Sequence, residues 1–156
     1  MFLHRNISLF SFLFMSLLLS FNTSAEDGRT DYDIDDDGLI EINDLQDLNE
    51  IRNHLDGTTL YGENSGCPEV GCTGFEITTD LDFDTNQDGV IDADDLYWNE
   101  GLGWEPIGNG NVRFTTIFDG NGHVIRNLFI NRPDSDYIGL FGYLYGTSAE
   151  VRHIGL

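Results

Sequence analysis

Apolar residues at positions 45, 48, 51 and 55 recur with the spacing of one helical face, and Asp56-Gly57 closes the stretch. The pattern predicts an amphipathic helix over Leu45 to Leu55. Beyond it the period changes. Phe75-Glu-Ile77-Thr-Thr alternates apolar and polar as a strand does, and the chain then reads as strand and turn throughout. Strands are predicted over Val112 to Phe118, His123 to Ile130, Tyr137 to Leu144 and Val151 to Leu156, with a turn at Asp119-Gly-Asn-Gly122. Leu96 to Trp104 contains Gly101 and Gly103 and permits at most one helical turn. The segments Arg126-Asn-Leu-Phe-Ile130 and Arg152-His-Ile-Gly-Leu156 align at a constant offset, a length compatible with one rung of a β-solenoid. A β-hairpin pair around Asp119 to Gly122 is the alternative.

The start of the chain follows another rule. His4 and Arg5 precede an apolar run from Ile7 to Phe21, and Thr23-Ser24-Ala25 supplies a small-residue cleavage site, so residues 1–25 read as an export signal. The run is short for a bilayer span, although a retained membrane anchor is the competing reading. Removal of the signal leaves residues 26–156, enough for one modest domain, with no further membrane insertion expected.

Charge narrows the partners. The chain has 28 acidic residues against seven basic ones, all of them arginine, and a formal net charge of −21. Nucleic acid is excluded as a partner, because phosphate binding needs a basic patch. The acids crowd into the front half, which would repel itself without counterions, so folding there is expected to depend on metal.

Two acidic stretches supply the candidate chemistry. Asp33, Asp35, Asp37, Glu41 and Asp44 occupy positions 1, 3, 5, 9 and 12 of a twelve-residue loop, with Gly38 at 6, the Leu39 carbonyl at 7 and Ile40 at 8. Asp84, Asn86, Asp88, Asp92 and Asp95 repeat the arrangement, with Gly89, the Val90 carbonyl and Ile91. This is the EF-hand calcium pattern, in which alternate side chains of a curling loop converge on one point and build an oxygen cage for a hard cation. Two calcium ions are expected. Asp at position 12, where sensor loops use a bidentate Glu, points to structural sites suited to extracellular calcium.

Other features are less specific. Cys67 and Cys72, the two cysteines, flank a short Pro/Gly turn and are expected to form a disulfide in an exported chain. Tyr97, Trp98 and Trp104 cluster beside the second loop, either as a sugar-stacking platform or as core beneath it. His54, His123 and His153 stand singly, and no zinc motif, nucleophile elbow or paired acid and base is recognisable, so no catalytic residue is assigned.

The stretch Phe118-Asp-Gly-Asn-Gly-His-Val-Ile-Arg-Asn-Leu-Phe-Ile130, with Ile138-Gly-Leu-Phe-Gly142 and Val151-Arg-His-Ile-Gly-Leu156, resembles bacterial surface proteins that carry the GLUG motif. The acidic loops resemble dockerin calcium repeats, but the long insert between them and the missing second helix depart from that pattern. The resemblance implies an exported, adhesin-like protein whose repeats form rungs of a right-handed parallel β-helix. Ile125, Leu128, Ile130, Ile138, Leu140, Val151 and Ile154 are then the candidates for its inward stack.

The expected architecture is therefore mainly β. A calcium loop, capping helix and disulfide loop fill 26–74, and 75–156 begins a β-helix with the second calcium loop, 84–95, inserted. Ending in mid-pattern, the chain reads as the front of a longer protein. The expected function is calcium-dependent adhesion or ligand binding, with carbohydrate or a surface protein as partner, in a secreted or cell-surface location. The competing function is a polysaccharide-degrading enzyme or an accessory region of a secreted peptidase.

Overall fold

A computed structural model describes residues 28–156. The export signal expected over residues 1–25 lies outside the described residues.

Residues Ile40–Ile42 form β1, immediately after the first acidic loop, and all three are buried. Helix α1 follows at Leu45–Glu50 and tightens into a 3₁₀ turn at Ile51–Asn53. Asp44 caps α1, its carboxylate accepting from the amides of Gln46 and Asp47. Leu45, Leu48 and Ile51 are buried and Leu55 packs beside them, as their spacing predicts. The remaining strands are short: β2 Gly74–Ile77, β3 Leu81–Asp82, β4 Ile117–Asp119, β5 Ile125–Arg126 and β6 Glu150–Arg152.

Every ladder in the two sheets is parallel. Four strands line up in the order β1-β2-β4-β6, and β3 pairs with β5 in a separate two-stranded sheet. The register stacks Ile40, Phe75, Phe118 and Val151 in one row and Glu41, Glu76, Asp119 and Arg152 in the next. Because strand side chains alternate in direction, the first row feeds the core and the second lies on the opposite face. Phe75, Phe114, Phe118 and Phe141 meet with ring centroids 4.7 to 6.5 Å apart. Gly74 makes the close approach of β2 and β4 possible, since a Cβ there would lie 2.7 Å from the carbonyl oxygen of Ile117.

The solenoid expectation is corrected here: the chain forms short parallel strands in two small sheets with one helix. The sequence offset that suggested successive rungs does not correspond to structural equivalence. Ile125–Arg126 pairs with β3, whereas Glu150–Arg152 forms the edge of the four-stranded sheet beside β4. The turn after Asp119 links strands of different sheets, so it does not close a hairpin either. Of the proposed inward stack, Ile125 and Leu140 are buried, Leu128, Ile130, Val151 and Ile154 pack against the core, and Ile138 is exposed. Tyr137 to Leu144 forms only isolated parallel bridges, at Phe141 with Ile107 and at Leu144 with Phe114. The sheet also crosses the expected division between 74 and 75, because β1 pairs directly with β2.

Phe118→Ala should destabilise the domain by about 3 to 5 kcal/mol, read as a shift of the urea midpoint at unchanged slope. A loss below about 1 kcal/mol would show that the aromatic row does not carry the sheet.

Candidate metal centre

The two acidic loops fold as twins. At position 1, Asp33 and Asp84 each use one carboxylate oxygen to accept the amide of position 5 and the other to accept the amide of the position 6 glycine. At position 3, Asp35 and Asn86 accept from position 5, and at position 5, Asp37 and Asp88 accept from position 7. Position 4 is left-handed in both, with φ of 62° at Asp36 and 60° at Gln87, and the glycines follow at 87° and 83°. The φ near 60° at position 4 lies in the small left-handed region that side chains tolerate, whereas 83° to 87° at position 6 lies beyond it and favours glycine.

The loops then diverge. In the second, Asp95 folds back at position 12 and accepts from the Thr85 amide and hydroxyl, from the Asn86 amide and from the Asp92 amide. Asp92 turns away to accept from the amide of Asp94. These donors, led by the Asp92 amide, hold the Asp95 carboxyl below its usual range. In the first loop Glu41, at position 9, accepts the equivalent amide of Ile34 at 2.5 Å. Asp44 is occupied as the helix cap instead. It lines a cavity of about 340 Å³ that opens toward the second loop, together with Gln46, Asp80, Asp84, Thr85 and Leu96.

A residue outside both motifs joins the first loop. Glu76 of β2 pairs in register with Glu41, and carboxylate oxygens of Asp35, Glu41 and Glu76 lie within 4.8 Å of one another. Asp33, Asp35 and Asp37 form a second triad of the same span. Asp33, Glu41 and Glu76 are the buried floor of this cluster, and Asp35 and Asp37 its exposed lip. Sequence reasoning missed Glu76 because nothing local marks it; only the pairing of β1 with β2 brings it there. Among the described residues, no three carboxylates of the second loop gather as closely. The disulfide between Cys67 and Cys72 is present and sits against Asp33, but both sulfurs are consumed by the bridge and neither is a ligand.

Among the described residues, no arginine or histidine forms an ion pair with Asp33, Asp35, Asp37, Glu41 or Glu76. Arg152 feels the charge of Asp37 but makes its own ion pairs with Asp119 and Glu150. Glu41 is 3% exposed, and its Oε2 has no hydrogen-bond partner among the described residues. Burial pushes the carboxyls of Asp33 and Glu41 up, and burial with the charges of Asp37, Asp35, Glu41 and Asp119 pushes Glu76 up to about 7. Two carboxylates 4.8 Å apart repel by about 3 kcal/mol at an effective dielectric of about 20, so a fully ionised triad is strained by several such terms. A divalent cation among the oxygens would remove that cost.

The next carboxylate of the polar row, Asp119, is already neutralised. Burial raises Asp119, but donors from Asn121, Arg152 and His153 outweigh it and hold that carboxyl low. Arg152 and His153 reach its two oxygens at 2.6 and 3.0 Å. His54 and His123 are likewise engaged, with Glu50 and Thr59 and with Asp80.

The aromatic cluster divides. Trp104 is 1% exposed, packed edge-on against Phe83 and Tyr97 with Arg52 over its ring, and its indole donates to Leu140; it is core and is withdrawn as a stacking residue. Tyr97 is half-buried in the same cluster, and Trp98 lies flat on Phe129 at 5.1 Å.

Segments of two known proteins are similar to this chain. One is a protein named as a Gly-rich membrane protein from Evansella cellulosilytica, 50% identical over 56 residues, which are 36% of this chain and 6% of that protein. The other is halomucin from Haloquadratum walsbyi, 36% identical over 107 residues, 67% of this chain and 1% of that protein. The chain thus spans a small fraction of either relative. No family model and no solved structure matches.

In chelator, the melting temperature should fall as pH rises from about 5 to 7. The folded form holds a proton on Glu76 up to about pH 7 that the unfolded chain releases near 4.5, so stability is present below the lower value and lost on passing the higher one. Thermal melts across that range check this, and Glu76→Gln should flatten the slope.

Proposed function

We propose that the chain is a calcium-stabilised part of a secreted or cell-surface protein that acts in adhesion or ligand binding. The observation that carries the reading is the Glu41 Oε2 oxygen, buried among carboxylates and, among the described residues, without a hydrogen-bond partner. Oxygen-only donors suit a hard cation, and calcium tolerates the irregular number of ligands such a loop offers. The second loop, with its matching backbone, is proposed as a second site. Asp84, Asn86, Asp88 and the carbonyl of Val90 would supply its oxygens, with Asp95 closing it. The exposed lip formed by Asp35 and Asp37 gives the first ion a path from solvent.

Location at a membrane or cell surface is supported by the names of the two relatives and by the export signal read from the sequence. For the ligand, we favour carbohydrate or a surface protein. Tyr137 and Tyr145 are 45% and 55% exposed, and Arg113 lies over the rings of Tyr143 and Tyr145, making an aromatic surface on which a sugar ring could stack.

Calorimetric titration of residues 26–156 should show uptake of two calcium ions, and Asp88→Ala should remove one of them. At calcium about 100 times the dissociation constant, each occupied site should add about 2.7 kcal/mol to stability. A chain that takes up no calcium, and melts identically with and without chelator, would overturn the proposal. Binding to immobilised polysaccharides should require calcium and weaken in Tyr145→Ala.

A further inference from the structure

We infer that Glu76 is a direct ligand of the first calcium ion and closes the site from a neighbouring strand, in the place that position 12 fills in the second loop. This rests on the calcium reading above. Four observations converge on it. Oxygens of Asp35, Glu41 and Glu76 lie within 4.8 Å of one another, about twice the calcium–oxygen distance, so one ion can touch all three. Glu41 spends Oε1 on the Ile34 amide, the role Asp95 performs toward Thr85 in the second loop, and its Oε2 is left buried and unpartnered. Asp44 is committed to the amides of Gln46 and Asp47 and faces the cavity beside the second loop. Among the described residues, Glu76 receives a single side-chain donor, the Asn121 amide on Oε2 at 3.3 Å, and the charges of Asp37, Asp35, Glu41 and Asp119 bear on it.

The parallel register of β1 and β2 sets Glu41 directly beside Glu76, a like-charge neighbour pair that costs stability without an intervening cation. With the ion present, the same pair becomes a cross-strand clamp. The metal then joins the acidic loop to the sheet, and the loop's own twelve residues are an incomplete site.

The test uses the full chain carrying Asp88→Ala, so that the second loop does not contribute. Calcium affinity is measured by calorimetry, and the number of coordinated waters by terbium luminescence lifetimes in H₂O and D₂O. Glu76→Gln should weaken calcium binding about tenfold or more, the loss expected for one charged ligand contact. Glu76→Ala should admit one additional water to the bound terbium. Asp44→Ser, which keeps a helix cap, should change neither reading. Both Glu76 variants should melt no lower than the parent in chelator, which separates ligand loss from unfolding. If both bind like the parent with the same water count while Asp33→Asn loses uptake, Glu76 is not a ligand and the loop site stands alone. If Asp33→Asn also binds like the parent, the calcium reading fails and this inference with it.

Discussion

Repulsion among carboxylates held in a dry corner is the constraint on which the front of this domain depends. Asp33, Glu41 and Glu76 are removed from water by the packing of β1 against β2 and by the disulfide loop beside Asp33. That packing in turn is driven by Ile40, Ile42, Phe75 and Ile77, which are fully buried on the opposite face of the same strands. The hydrophobic face and the acidic face are thus one device: the chain cannot bury the first without crowding the second. The crowding must be relieved by protons or by a cation. Protons relieve it at low pH, and the higher the pH, the more of the repulsion is left for a cation to offset.

The helix and the loops were legible because their information is local. The apolar spacing of Leu45, Leu48, Ile51 and Leu55 marks a face, and alternate oxygens around a glycine mark a curling loop, whatever lies elsewhere in the chain. The disulfide was equally local. The sheets were less so. Parallel pairing joins strands far apart in sequence, and strands of two to four residues carry too few alternations to declare their partners. A repeat between Arg126 and Arg152 looked like a register and was not one, since the two arginines belong to different sheets. Glu76 was invisible for the same reason. As one acid among many, it acquires meaning only when β2 is laid against β1.

The twin loops also show how one local pattern can reach two ends. Both hold their first six residues by the same amide-to-carboxylate bonds. After the glycine, the first runs straight into a buried strand and recruits its neighbours, whereas the second stays near the surface and closes upon its own Asp95. The tertiary setting, more than the motif, decides which acids are strained and which are satisfied.

The four-stranded sheet contains no hairpin: each of its strands meets a partner only after a long excursion of chain. Such non-local closure carries a heavy entropic cost before any contact rewards it. Assembly of the domain is therefore expected to be slow, and the unpaired strand edges exposed meanwhile are sticky. Slow closure therefore leaves the chain loose for longer, and contacts with other chains compete with its own until β1, β2, β4 and β6 have met.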